Sequence, residues 1–263
     1  MRPHHFHQAS DEPALAPKAI LHPFVVRGCG PRVPRYGGSG IGLTPLPHNF
    51  YTFNCITFLM NQTCFTIGHS NHPVLKFIKL LKAHNISLVI DVRSQPFSKY
   101  IQEYNKENIS KYLTDDDIEY AHLGSELGGR ATDSRLMTED GQTDYLKIMQ
   151  TPNFKNGIKK VLQAIEAGEY VALMCTEKNP LDCHRFVLVS RALALEGVQM
   201  KHILDSGELI ETEELEKQLL EHYKLDNKQA TLFGPRKTKR ELIDEAYELR
   251  GKEISYKPER GRT

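Results

Sequence analysis

The run SLVIDVRS at residues 87–94 limits the possible folds more than any other part of the chain. Its apolar stretch does not alternate with polar residues. That is the pattern of a strand covered on both faces, found mainly in parallel sheets held between two layers of helices. The run YVALMC at 170–175 is equally rich in strand formers. Around these two runs, from Cys64 onward, strands and amphipathic helices alternate.

CFTIGH (64–69) reads as the first strand, followed by a helix with Val74, Phe77, Ile78 and Leu81 on one face and Ser70 or Asn71 as its cap. After the strand at 87–94 comes a helix near 106–113, a strand at 118–123 and a loop, GSELGGR, at 124–130. Asp144–Gln150 starts another helix, and Thr151–Pro152 caps the next, which Gly168 ends. The strand at 170–175 leads through a polar loop to a helix capped by Asp182 and stopped at Gly197. A fifth strand at 200–204 and a helix at 212–223 complete the pattern. The expected fold is α/β: a mostly parallel sheet of about five strands with helices on both faces, Rossmann-like and three-layered.

The expected organisation has three parts. Residues 1–60 hold eight of the fourteen prolines and six of the eighteen glycines without periodicity, so they are expected to be a disordered leader. Five of the twelve histidines fall there too, with nothing to fix their geometry. Residues 61–223 form a single α/β domain. Residues 224–263 form a basic appendage with one short helix, signalled by the Thr238/Glu241 capping box. The formal charge is +3 over 1–60, −6 over 61–223 and +4 over 224–263. An acidic body does not suit broad binding of a phosphate backbone, which leaves nucleic acid as a partner only through the basic tail.

The five cysteines are odd in number and irregular in spacing, and MRPHHFHQAS has no apolar leader core. Phe50–Met60 is short and broken by Thr52, Asn54 and Thr57, so no membrane partner is expected. The reading is a cytoplasmic protein with reduced thiols.

In a parallel sheet, ligands sit beyond the carboxyl ends of the strands. His69, Asp91 with Arg93, the loop 124–130, and Cys175 with Glu177 all fall at such ends. Cys183, His184 and Arg185 open the following helix, where free N–H groups favour a thiolate or a bound anion. The candidate catalytic residues are therefore Cys175, Glu177, Cys183, His184 and His69, with a cysteine as nucleophile or redox thiol and Glu177 or a histidine moving protons. Arg93, Arg185, Asp91, Ser98, Gly128 and Gly129 are the candidates for substrate binding. Each has a plainer reading: the cysteines as packing residues, Asp91 as a carboxylate paired with Arg93, Gly128–Gly129 as a turn. A metal held by Cys175, Cys183 and His69 is a further option. Against it, there is no CxxC, and Cys183 and His184 would diverge by about 100° on a helix.

TIGHS (66–70), DVRSQPFS (91–98), LGSELGG (123–129) and CTEKNPLDCHR (175–185) resemble the motifs of domain of unknown function family 488. The resemblance runs over about residues 64–223. It implies a compact α/β domain without an assigned activity. By position it marks His69, Asp91, Arg93, Pro96, Ser98, Gly128, Gly129, Cys175, Glu177, Cys183, His184 and Arg185. VIDVRS is also similar to a strand of rhodanese-type sulfurtransferases, a likeness of fold only.

The functional expectation is a small intracellular enzyme, a thiol-dependent transferase or hydrolase, acting on a small anionic and nucleotide-like substrate. The alternative is a metal-binding sensor or a nucleic-acid-associated module without catalysis. The sequence names no cofactor, and neither the substrate nor the oligomeric state can be read from it.

Overall fold

The computed structural model describes residues 62–226 and 237–258. The leader, with Cys29 and Cys55, lies outside the described residues, as do 227–236 and 259–263 of the basic tail.

Six strands form one sheet: β1 (Thr63–Gly68), β2 (Leu88–Asp91), β3 (Glu119–His122), β4 (Val171–Cys175), β5 (Gln199–Ile203) and β6 (Leu209–Glu211). Their order is β3-β2-β4-β1-β5-β6. The first five are parallel, and β6 is a short antiparallel edge on β5. The fold is therefore α/β with a mostly parallel sheet, as expected, plus one strand more. At three residues with one exposed and two half-buried, β6 is too short and too polar to show an apolar period.

β4 occupies the slot between β1 and β2. It alternates strictly: Val171, Leu173 and Cys175 join one core cluster, and Ala172 and Met174 join the other. The first cluster lies under the helix Pro152–Glu166 and the helical run 185–195, and the second under the helices Val74–Ala83 and Lys106–Thr114. Helices thus cover both faces, and the carboxyl ends of β1, β4 and β2 lie side by side.

Two caps differ from expectation. The helix at 74–83 begins after Pro73 with no side-chain cap. Ser70 instead turns the chain in a left-handed conformation (φ 47°), while the His69 and Ser70 amides donate to the Cys175 and Thr176 carbonyls. Asp182 does not cap the next helix either. It ends a 3-10 turn (Pro180–Asp182), and Cys183 follows in an extended conformation. The helical run then opens with a π-helical segment, Arg185–Ser190, and continues as Arg191–Leu195. In addition, Gly124–Leu127, expected to be loop, makes one helical turn.

The C-terminal helix Lys239–Ile254 starts at the Thr238/Glu241 capping box and runs for sixteen residues, longer than the short helix expected. Ala246 and Tyr247 pack with Phe186, Val187, Leu215 and Leu219 in a third apolar cluster, so it is an integral part of the body.

Candidate active site

The loop after β4 is held from below by Arg185. This side chain is fully buried, and its Nη1 and Nη2 donate to the Glu177 (2.6 Å) and Lys178 (3.2 Å) carbonyls. Its Nε has no hydrogen-bond partner among the described residues. Gly68 allows the loop to approach: a Cβ there would lie 1.9 Å from the Glu177 carbonyl oxygen. The loop in turn aims its acid inward. Glu177 Oε2 lies 3.0 Å from Cys175 Sγ and 2.8 Å from Cys183 Sγ.

His184 completes the group. Its Nε2 donates to the Val92 carbonyl (3.0 Å), which leaves Nδ1 facing the sulfurs at 3.6 Å (Cys175) and 4.0 Å (Cys183). Gly129 gives the ring room, since a Cβ there would lie 2.8 Å from His184 Cβ. The four donor atoms of Cys175, Glu177, Cys183 and His184 all lie within 4.8 Å of one another.

The electrostatics divide the two thiols. Burial raises Cys175 well above its ordinary value, and the negative charge of Cys183 adds to that. Burial opposes ionisation of Cys183 as well, but a hydrogen bond from Cys175 and the charges of Arg185 and His184 outweigh it and hold Cys183 well below a normal thiol. Burial and the Cys183 charge push Glu177 up from the ordinary carboxylate value. Burial would lower His184, but contact with Cys183 raises it. Negative charge in this group is therefore favoured on Cys183, beside Arg185 and His184, over Cys175.

A second network lies next to the first. Arg93 grips Asp91 with Nε (2.9 Å) and Nη2 (2.6 Å), and Nη2 also donates to the Tyr104 carbonyl. Arg93 Nη1 donates to His69 Nε2 (3.0 Å), and His69 Nδ1–H donates to the Ser70 carbonyl. The His69 ring stacks on Tyr104 at 4.1 Å. Tyr120 donates its hydroxyl to Asp91 (2.8 Å). Burial and the Arg93 charge push His69 down to about 4, so the ring is neutral.

These contacts reassign several expected roles. Asp91 is fully buried and its carboxylate is taken by Arg93 and Tyr120, so it is not open to a substrate. Arg185 supports the loop and does not line the cleft. Ser98 accepts from the Tyr100 and Ile101 amides, and so shapes a turn. His69 stands behind Arg93, positioning it, and is not among the cleft residues. Gly128 packs on Ser94. Of the sequence candidates, Cys175, Glu177, His184, Arg93 and Gly129 line a cleft of about 180 Å3, with Cys183 directly behind.

The cleft has further walls that were not singled out from sequence. Ser94, Gln95, Arg130, Tyr145, Thr176 and Asp182 line it, as do Ile254 and Tyr256 from the far end of the described chain. Arg130 lies over the Tyr256 ring (4.8 Å), and its Nη1 donates to Gln95 Oε1 (3.3 Å). A larger hollow of about 280 Å3, bounded by Phe154, Ile158, Leu162 and Ala192, carries no nucleophile and is remote from this chemistry.

Residues 73–192 match the family model described as Domain of unknown function DUF488. Over that stretch the chain is similar to the DUF488 family. The match is narrower than the span of about 64–223 over which the motifs were read. It takes in both halves of the thiol group and Arg93, Asp91 and Arg130, but begins after β1 and His69. No curated protein and no solved structure matches the chain significantly. Within the DUF488 span every thiol-group residue comes from the single stretch 175–184, and Val92, which anchors His184, from the strand end beside it.

Proposed function

We propose that this cleft is the active centre of an enzyme that depends on its two thiols and takes a small anionic substrate. One observation carries the reading: Cys175, Glu177 and His184 line the same cleft as Arg93 and Arg130. Arg93 has spent most of its donors on Asp91, Tyr104 and His69, so Arg130 is the principal cation for a ligand. A guanidinium with free N–H groups forks readily onto phosphate or carboxylate. The volume favours a small group, such as a phosphoryl or carboxyl end, over a whole nucleotide. Cys175 is the thiol that a bound ligand meets, and Cys183 sits behind it.

Inorganic phosphate and AMP serve as probes. Both are expected to raise the melting temperature and to slow iodoacetamide labelling of Cys175, and Arg130→Ala should lose both effects while keeping its fold. Absence of either effect in the unaltered protein would refute an anion site over the thiols.

A further inference from the structure

The geometry points to a single divalent transition-metal ion, zinc or ferrous iron, held by Cys175, Cys183, His184 and Glu177 on the floor of the cleft. This rests on the cleft being the active centre and adds what occupies its floor. In that case the thiols act as ligands, and the reacting atom belongs to the substrate or to water on the open side.

Three observations support it. First, the donor set and its spacing fit. A tetrahedral ion with bonds of about 2.3 Å to sulfur and 2.0–2.1 Å to nitrogen needs sulfur–nitrogen edges of about 3.6 Å. The edges here are 3.6 Å and 4.0 Å. The two sulfur–oxygen edges, 3.0 Å and 2.8 Å, are hydrogen-bond lengths, and replacing those protons by an ion requires Glu177 to move out by about half an ångström. Glu177 is on a loop facing the cleft and has the freedom to do so.

Second, the histidine is prepared as a ligand. Its Nε2–H is committed to the Val92 carbonyl, so Nδ1 presents its lone pair to the sulfurs. Metal-binding imidazoles are commonly fixed in this way by an outer acceptor. The adjacency of Cys183 and His184 is no obstacle. Cys183 is extended (φ −135°, ψ 139°) and precedes the helix, so its side chain and that of His184 turn to the same centre.

Third, the charge is balanced. Two thiolates, a carboxylate and a divalent ion sum to −1, and Arg185 lies fully buried beside them. No carboxylate lies within salt-bridge distance of Arg185 among the described residues. A buried guanidinium requires a counter-charge, and this group supplies one. Two soft ligands with one imidazole and one carboxylate suit zinc or ferrous iron, and do not suit magnesium or calcium.

The test uses the full chain, purified without chelators and with reductant. Elemental analysis is expected to give one equivalent of zinc or iron. Apo-protein titrated with cobalt(II) should develop the intense visible bands of a thiolate-ligated tetrahedral ion at one equivalent. Cys175→Ser and Cys183→Ser should lose both signals, and His184→Gln should weaken them, with circular dichroism confirming that each variant is folded. If the variants unfold, cobalt titration of the unaltered protein alone decides. Lack of metal together with lack of a cobalt spectrum in reduced protein would overturn the inference, as would a Cys175–Cys183 disulfide as the resting state. Metal binding with no response to phosphate or AMP would keep the ion and reject the anion site, so the two failures are separable.

Discussion

His202 illustrates how a single side chain ties this fold to pH. It is fully buried in β5, with Nδ1 against the Thr66 hydroxyl (2.8 Å) and Nε2 against the Thr212 hydroxyl (3.1 Å). Burial, helped by the Arg185 charge, pushes it down to about 3. Between that value and about 6.5 the unfolded chain binds a proton that the folded chain refuses. Stability from this residue is therefore complete above about pH 6.5 and falls as the pH drops, by roughly 1.4 kcal/mol per pH unit. Urea unfolding at pH 7 and pH 5 should show a loss of about 2 kcal/mol from this group, added to by His69. In His202→Gln the acid slope should become shallower. Little of this was legible in advance: a histidine in MKHIL shows neither its two hydroxyl partners nor its depth. By contrast Cys175, Glu177, Cys183 and His184 stood out because they share one short stretch between a buried strand and a helix. Arg93 and Arg185 were legible as residues, but the neighbours they are committed to were not. Whether a guanidinium is spent on a neighbour depends on Asp91, Tyr104 and the 177–178 carbonyls, and that is tertiary information.

Secondary structure was easiest to read where a cap and an apolar stripe agreed. Thr151 accepts from the Phe154 amide, Asp144 from the Lys147 amide, and Thr238 from the Glu241 amide with the reciprocal bond present, as their spacing predicts. The reading failed where the backbone was claimed by something else. At Ser70 the chain is still pairing with β4, and at Asp182 it is in a 3-10 turn drawn towards Arg250. The π-helical opening at 185–190 has no sequence mark beyond Ser190, whose hydroxyl donates to the Arg185 carbonyl (2.7 Å). Such irregular turns are frequent at functional sites. For the C-terminal helix the cap can be tested directly. Thr238→Ala should cost about 1 kcal/mol in chemical denaturation, since the Glu241 amide loses its acceptor at an exposed terminus. A change within error would mean that burial of Leu242, Ala246 and Tyr247 alone holds the helix.

Across the whole molecule, the site depends on parts far apart in sequence. The parallel order sets the ends of β1, β4 and β2 together, and this much follows from apolar runs alternating with helices. The last wall did not follow from them, because nothing in a polar, basic stretch says which side of the body it will cover. Arg250 makes that attachment, donating through Nε to the Leu181 carbonyl (2.9 Å) and through Nη2 to Asp182. Arg250→Ala should lower stability by about 1–2 kcal/mol in thermal or urea melts. It should also weaken phosphate binding, because Ile254 and Tyr256 lose their anchorage at the cleft. An unchanged phosphate response would show that this wall stands without the pin. TM-type spans are not found: no helix among the described residues is long and apolar enough to cross a membrane.

That wall also sets an order of events during synthesis. Cys175 and Cys183 leave the ribosome about seventy residues ahead of Ile254 and Tyr256. Until they arrive the cleft lacks one wall, and Cys175 is more open there to oxidants and stray ions than in the finished protein.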